Sequence, residues 1–447
     1  MALSSTDQKP ESSTSPEQEH SSGFREARSV LLCGASVRSL AESAIAAGLR
    51  PLCVDFFQDD DLTKILSGRR GRFVAKIQSF AELPAVTRAV RASIPMIWAG
   101  GLENRTDILR EIACRRPLIG ADPDVIDQVR NLTSLSRWLT AAGIDVPRCA
   151  TEATADANIQ WLRKPMAGSG GQGIKAHCLD LSYAAANKGP RPSSEFLQEY
   201  IDGVPMSAVF FSNDDGVDLI GTSLQLIGWP SLGASDFLFC GNVGPVDPGK
   251  KITEQILLAA KTIVAHTHLR GVFGIDFVLQ RGRAWLLEVN PRLTASHMLY
   301  ESKVKKTKHC LNLVEQHLAA FGWRPAPAFN RKLTPGARIG SFPGSDLRTR
   351  MILWAGTDIE VSRELRMFMS VDSDDGQISD IPALGTIVPG GSPICSVHVS
   401  ANSADQLFER VQNLPFFSTA DYSCVWPDVC DHFRILFDRF QRNQSAL

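Results

Sequence analysis

The chain has 447 residues, with 47 basic and 48 acidic side chains and a formal net charge of −1. That length exceeds what one hydrophobic core organises and implies about three domains, which the 44% of apolar residues can fill. A balanced charge offers no field for nucleic acid or an anionic membrane, and the ten cysteines include no C-x-x-C pair, so reduced thiols in a cytoplasmic enzyme are expected.

Residues 1–24 are rich in Ser, Thr, Pro, Glu and Gln and nearly free of apolar side chains, which predicts a disordered tail. They contain no apolar signal core, and no run of about 18 apolar residues occurs anywhere, so neither export nor a membrane span is expected. Order should begin near Ser29. Val30-Leu31-Leu32-Cys33 reads as a buried strand, Gly34-Ala35-Ser36 as a tight turn, residues 40–47 as an amphipathic helix stopped by Gly48, and Leu52-Cys53-Val54-Asp55 as a second strand. Only Gly34 of a dinucleotide fingerprint is present in this βαβ opening, which excludes a dinucleotide site. Met96-Ile97-Trp98 and Gly100-Gly101 predict a later strand and turn of the same Rossmann-like domain, and residues 125–142 a helix leading out of it.

Residues 161–174 place Lys164 at the end of an extended run and follow it with a glycine-rich loop. Glycines let a backbone approach phosphate oxygens, so Gly168, Ser169, Gly170, Gly171 and Gly173 would line an anion site to which Lys164 adds a point charge. The lysine precedes the glycines, so this is not a Walker loop. Taken alone, it also reads as a surface turn. Residues 251–268 carry Ile252, Ile256, Leu257, Ala260, Ile263 and Val264 on one helical stripe, expected to pack on a sheet. His266 and His268 are spaced wrongly for a metal pair.

The most informative stretch is Trp285-Leu286-Leu287-Glu288-Val289-Asn290-Pro291-Arg292. Strand alternation directs Glu288, Asn290 and Arg292 to one face and Leu287 and Val289 to the core. Asp276, in the apolar run Gly271–Leu279, is expected on a partner strand joined through the turn Gln280-Arg281-Gly282-Arg283. Asp276, Glu288 and Asn290 then converge on one hard cation. Two carboxylates and an amide suit magnesium, with manganese as an alternative, better than zinc. His297 follows, then a helix with Lys303, Lys305, Lys306 and Lys308 that reads as a solvated face. Beyond residue 330, Pro335-Gly336, Pro343-Gly344 and Pro389-Gly390-Gly391 punctuate short strands such as Ile394–Val399.

Lys164 with its glycine loop, the stretch Phe196-Leu197-Gln198-Glu199-Tyr200-Ile201-Asp202-Gly203, and the strand ending Asn290-Pro291-Arg292, in this order, resemble the ATP-grasp superfamily. The resemblance implies an α/β (α+β) chain in which a tail (1–24) and a Rossmann-like domain (25–125) precede the ATP-grasp core (126–328). A β-rich carboxy-terminal subdomain (329–447) would follow, similar to that of biotin-carboxylase-like members over residues 379–399. It also implies a hinge at residues 196–203, where the Gln198 side chain and the backbone of Glu199, Tyr200 and Ile201 meet adenine, with Tyr200 or Ile201 packing on its ring. Val204-Pro205-Met206 stands where many relatives carry a ribose-binding acid, and Arg130 stands in for an early phosphate-binding lysine.

By resemblance the cofactors are ATP and Mg2+, and the activity is carboxylate–amine ligation through an acyl phosphate, with ADP and phosphate released. Lys164 and Arg292 would be the catalytic cations. The motif order looks most like predicted carboligases related to tyramine-glutamate ligase, some associated with methanofuran or tetrahydromethanopterin pathways, which implies cofactor biosynthesis in one-carbon metabolism. The partners expected are a small-molecule carboxylate and amine, with a homo-oligomer allowed and neither nucleic acid nor membrane involved. A small-molecule kinase on the same fold and a non-catalytic nucleotide-binding protein are the competing readings.

Overall fold

The computed structural model describes residues 24–68, 70–151, 155–177, 195–301, 311–326, 346–369, 376–414 and 426–445. Residues 1–23 of the expected tail, the helix expected around Lys303, Lys305, Lys306 and Lys308, and the turns at Pro335-Gly336 and Pro343-Gly344 lie outside the described residues.

The amino-terminal residues form a five-stranded parallel sheet, in spatial order Arg72–Lys76, Arg50–Asp55, Ser29–Cys33, Met96–Trp98, Leu118–Ile119. Strand order reverses beside Ser29–Cys33, so the sheet has a topological switch point between the carboxyl ends of Ser29–Cys33 and Met96–Trp98. Leu31, Leu32 and Cys33 are fully buried, as a continuous apolar run covered by helices on both faces demands. The helix Arg38–Ala46 follows the first strand and ends before Gly48, whose φ of 88° lets the chain reverse.

Residues 125–142 do not form one helix. The chain makes two, Pro123–Val129 and Leu132–Ala141, because the Asn131 side chain accepts from Ser134 N at 3.0 Å and starts the second. Arg130 therefore sits at the break.

Two antiparallel sheets follow. Four strands, in order Cys149–Ala150, Glu195–Glu199, Trp161–Pro165, Lys175–His177, carry Lys164 and the hinge. Eight strands form the larger sheet, in order Arg283–Asn290, Gly271–Gln280, Val204–Asn213, Gly216–Ile227, Phe239–Gly244, Leu347–Trp354, Pro393–Ala401, Gln377–Ser379. The last three continue the core sheet edge to edge. The helix Lys250–Thr267 lies on this sheet with Ile252, Ile256, Ala260 and Ile263 buried, each large aliphatic contributing about 1.5–3 kcal/mol.

The β-rich expectation for 329–447 needs correction, because two helices, Ala404–Gln412 and the 20-residue Trp426–Ser445, complete that region. Phe433 and Phe440 of the second are buried in the main core. Among the described residues no helix is long and apolar enough to cross a membrane, and the cysteines are free thiols.

Candidate active site

Arg281 and Gly282 both take positive φ, 48° and 70°, and make the two-residue turn that joins Gly271–Gln280 to Arg283–Asn290. The ladder pairs Phe277 with Leu286 and then Asp276 with Glu288, which leaves Leu287 without a partner. This bulge reverses the side-chain alternation. Ala284 and Leu286 on one side of it and Val289 on the other all reach the core, while Glu288 is exposed. The expectation that Leu287 points into the core is therefore corrected. Leu286 does so, Leu287 is half-buried in the bulge, and without that extra residue Glu288 would follow Leu286 into the core.

Asp276 accepts from Asn290 Nδ2 at 3.0 Å on one oxygen and from Gln225 Nε2 at 2.9 Å on the other. Burial, and then the neighbouring charge of Glu288, push the Asp276 carboxyl well above its ordinary range. Asn290 is itself buried, and its Oδ1 lies 3.4 Å from Arg292 Nη2. Arg292 leaves the strand after Pro291 and donates Nε and Nη2 to Glu103 Oε1 at 3.0 and 2.8 Å. Burial alone would raise Glu103, but the charge and hydrogen bonds of Arg292 outweigh it and hold the carboxyl low.

Lys164, on Trp161–Pro165 opposite Phe196, comes from the other sheet. The residue is half-buried, and desolvation of its ammonium pulls it below the usual lysine range against the attraction of Glu288, Cys149 and Asp276. The two sheets thus bring Lys164 to the carboxylates. The glycine loop that follows is fastened on two sides. Phe239 N donates to Gly170 O at 2.9 Å, and Asn104 Nδ2 donates to Gly168 O at 3.3 Å. Gly171 has φ 78°, and a Cβ there would lie 2.0 Å from Phe237 O. No side chain fits.

In the hinge, Gln198 is buried and hydrogen-bonded to the Cys149 thiol. Glu199 N and Tyr200 N donate to Arg148 O and Gln160 O, both at 2.8 Å, so their amides are not offered to a ligand. Of the amides in the stretch Glu199 to Ile201 expected at adenine, that of Ile201 has no partner among the described residues. Tyr200 is exposed, with its ring 6.3 Å edge-on from Phe237, and Ile201 is buried. Arg130 Nη2 donates to Asn104 Oδ1 at 2.8 Å and reaches Met166 O at 3.5 Å, beside the glycine loop.

Gln225, Glu103 and Asn104 were not legible as site residues. Each lies outside the motifs, on another strand or in the one-turn 3-10 helix Leu102–Asn104, and a buried Glu in so short a turn has no periodic signature.

A divalent cation fits this donor set. Among the described residues no three His, Cys, Asp or Glu side chains are grouped to hold a metal, so two carboxylates and one amide would leave the remaining positions to phosphate and water. Magnesium favours that arrangement. For Asn290 to ligate, its amide must turn so that oxygen replaces the nitrogen now facing Asp276.

Residues 129–296 match the family model described as an ATP-grasp domain. The carbamoyl phosphate synthase large chain of Clavibacter michiganensis subsp. michiganensis is 26% identical over 196 residues, covering 39% of this chain and 17% of that protein. That of Paenarthrobacter aurescens is 24% identical over 193 residues, with the same two shares, 39% and 17%. The chain thus spans under a fifth of these curated relatives. Among solved structures, a biotin carboxylase–β-γ-ATP complex from Campylobacter jejuni superposes with a TM-score of 0.62 at 15% identity, over 87% of this chain and 91% of that one. The N5-carboxyaminoimidazole synthase of Aspergillus clavatus, bound to ADP and 5-aminoimidazole ribonucleotide, also gives 0.62 at 15% identity, over 91% and 99%. At such identities the likeness is one of fold. Residues 129–296 thus match an ATP-grasp domain, and the chain shares the fold of these solved structures over most of its length.

Proposed function

We propose that the chain is an ATP- and magnesium-dependent ligase that joins a carboxylate to an amine through an acyl phosphate. The observation that carries this reading is the cross-strand pair Asp276–Glu288, aimed by a bulge at Lys164 on the facing sheet. Two carboxylates side by side in a half-buried site repel each other, and a cation between them reverses that penalty.

Asp276, Glu288 and Asn290 would hold the magnesium, which supplies neutralising charge to the nucleotide phosphates. The glycine loop and Lys164 would orient the β- and γ-phosphates, and Gln198 and the Ile201 amide would meet the adenine edge. The γ-phosphoryl passes to a substrate carboxylate oxygen as its bond to ADP breaks. Arg292 stabilises the charge on the transferring group. The amine then attacks the acyl carbon, phosphate leaves with the bonding pair, and the nitrogen loses a proton. The domain boundaries, near residues 125 and 328, and a role in cofactor assembly belong to the same proposal.

The test is chemical. A screen of carboxylates with ATP, magnesium and hydroxylamine should yield a hydroxamate and ADP without the natural amine, since only an activated acyl group is captured. A stable phosphate ester would instead identify a kinase, and AMP with pyrophosphate would exclude an acyl phosphate.

A further inference from the structure

Open α/β sheets bind ligands in the crevice at their switch point. In this chain a core side chain enters that crevice: a Cβ on Gly100, just past Met96–Trp98, would lie 3.4 Å from Arg292 Cζ. Arg292 meets Glu103 there. The Glu103 side chain is 1% exposed, and its second oxygen is buried without a partner among the described residues. A carboxylate taken so completely from water is tolerated only when its charge is matched, and Arg292 is the cation that matches it. Because Nε and Nη2 converge on one oxygen, the plane of the guanidinium is set, and Nη1, 3.4 Å from Leu293 O, keeps hydrogens to spare.

The next residue makes a second attachment. Asn104 donates to Gly168 O and accepts from Arg130, which itself reaches Met166 O. One turn, Leu102–Asn104, therefore grips Arg292 with one side chain and the start of the glycine loop with the next.

We infer that Glu103 and Asn104 are positioning residues of the phosphate site, Glu103 for Arg292 and Asn104 for the glycine loop, so that the amino-terminal domain sets the geometry of catalysis. This rests on the reading above that Arg292 and the loop meet nucleotide phosphates. A residue that acts only through another has no effect once its partner is gone, and this separates positioning from general structural support.

The experiment is calorimetric titration of the full chain with magnesium-ATP, comparing Arg292→Met, Glu103→Gln and the double variant. Arg292→Met should weaken binding about tenfold and Glu103→Gln about threefold or more, with the double variant no weaker than Arg292→Met alone. Glu103→Gln binding like the wild type while Arg292→Met is weak would overturn the inference and leave the nucleotide site standing. Full wild-type binding by Arg292→Met would overturn both the inference and the role given to Arg292. Asn104→Ala provides an independent arm: proteolysis between Ala167 and Gln172 should be several-fold faster with magnesium-ATP present. Cleavage at the wild-type rate would remove Asn104 from the proposal.

Discussion

Asp276 and Glu288 were legible in the sequence because acids are rare in apolar strands, and a half-buried carboxylate such as Asp276 needs a reason to be there. The reason proposed here makes a prediction about stability as well as rate. Without a cation the pair is repulsive, so Asp276→Asn and Glu288→Gln, which preserve volume and remove one charge, should unfold at temperatures no lower than the wild type. Both should lose the rise in melting temperature that magnesium-ATP gives the wild type, and turnover should fall by about two orders of magnitude or more. Thermal unfolding with and without magnesium-ATP checks the first two statements, and ADP release the third. A lower melting temperature in the cation-free variants would mean that the pair is structural. Gln225 and Glu103 escaped the sequence reading for an equally physical reason. Their partners are Asp276 and Arg292, 51 and 189 residues away, and no local pattern encodes such a contact.

At the scale of elements, strict alternation located the correct strand and turn but assigned the wrong leucine to the core. A bulge is one residue of extra length, and its position depends on the partner strand as much as on its own sequence. The broken helix at Arg130–Asn131 was more accessible, since Asn is a strong N-cap. The glycine loop was legible as a loop following Lys164, but its anchor on residues 237–239 was not. That anchor predicts the behaviour of Gly171→Ala. The new methyl meets Phe237 O at 2.0 Å with φ at 78°, so the loop must lift from Phe237–Phe239, a local cost of about 1–3 kcal/mol. Trypsin-free proteases that cut at small residues should cleave between Ala167 and Gln172 faster in this variant than in the wild type, while the melting temperature changes little. Lys164→Met, by contrast, should leave cleavage of the free loop unchanged and weaken magnesium-ATP binding, because it removes charge and not shape. If magnesium-ATP protects the wild-type loop no better than buffer does, the loop is an ordinary surface turn.

At the scale of the whole molecule, distant parts of the chain meet where the helix Asp60–Leu66 lies against the carboxy-terminal residues Asp380 and Ile381. Asp61 accepts from the backbone amides of both at 3.0 and 2.9 Å, Arg366 pairs with Asp60, and Arg350 pairs with Asp380. Composition suggested several domains but could not show this seam, which joins residues more than three hundred positions apart. Asp59, 5% exposed, is placed within it, and burial first, then the charges of Asp380, Asp61 and Asp55, push its carboxyl from 3.8 up to about 8 against the opposing pull of Arg38. A carboxyl whose folded-state value is raised contributes stability that is complete below about pH 4 and is lost as pH climbs through about 8. Asp380 acts in a separate window, because Arg350 and Arg38 overcome its burial and hold it down at about 2, so its contribution disappears only in acid. Asp59→Asn removes the titrating charge and keeps the shape. Its melting temperature minus that of the wild type should therefore increase steadily from pH 5 to pH 8 and level off above, with groups common to both proteins cancelling in the difference. Thermal unfolding at unit pH steps measures this directly, and a difference that stays flat across the window would show that Asp59 is ionised, and paired, throughout.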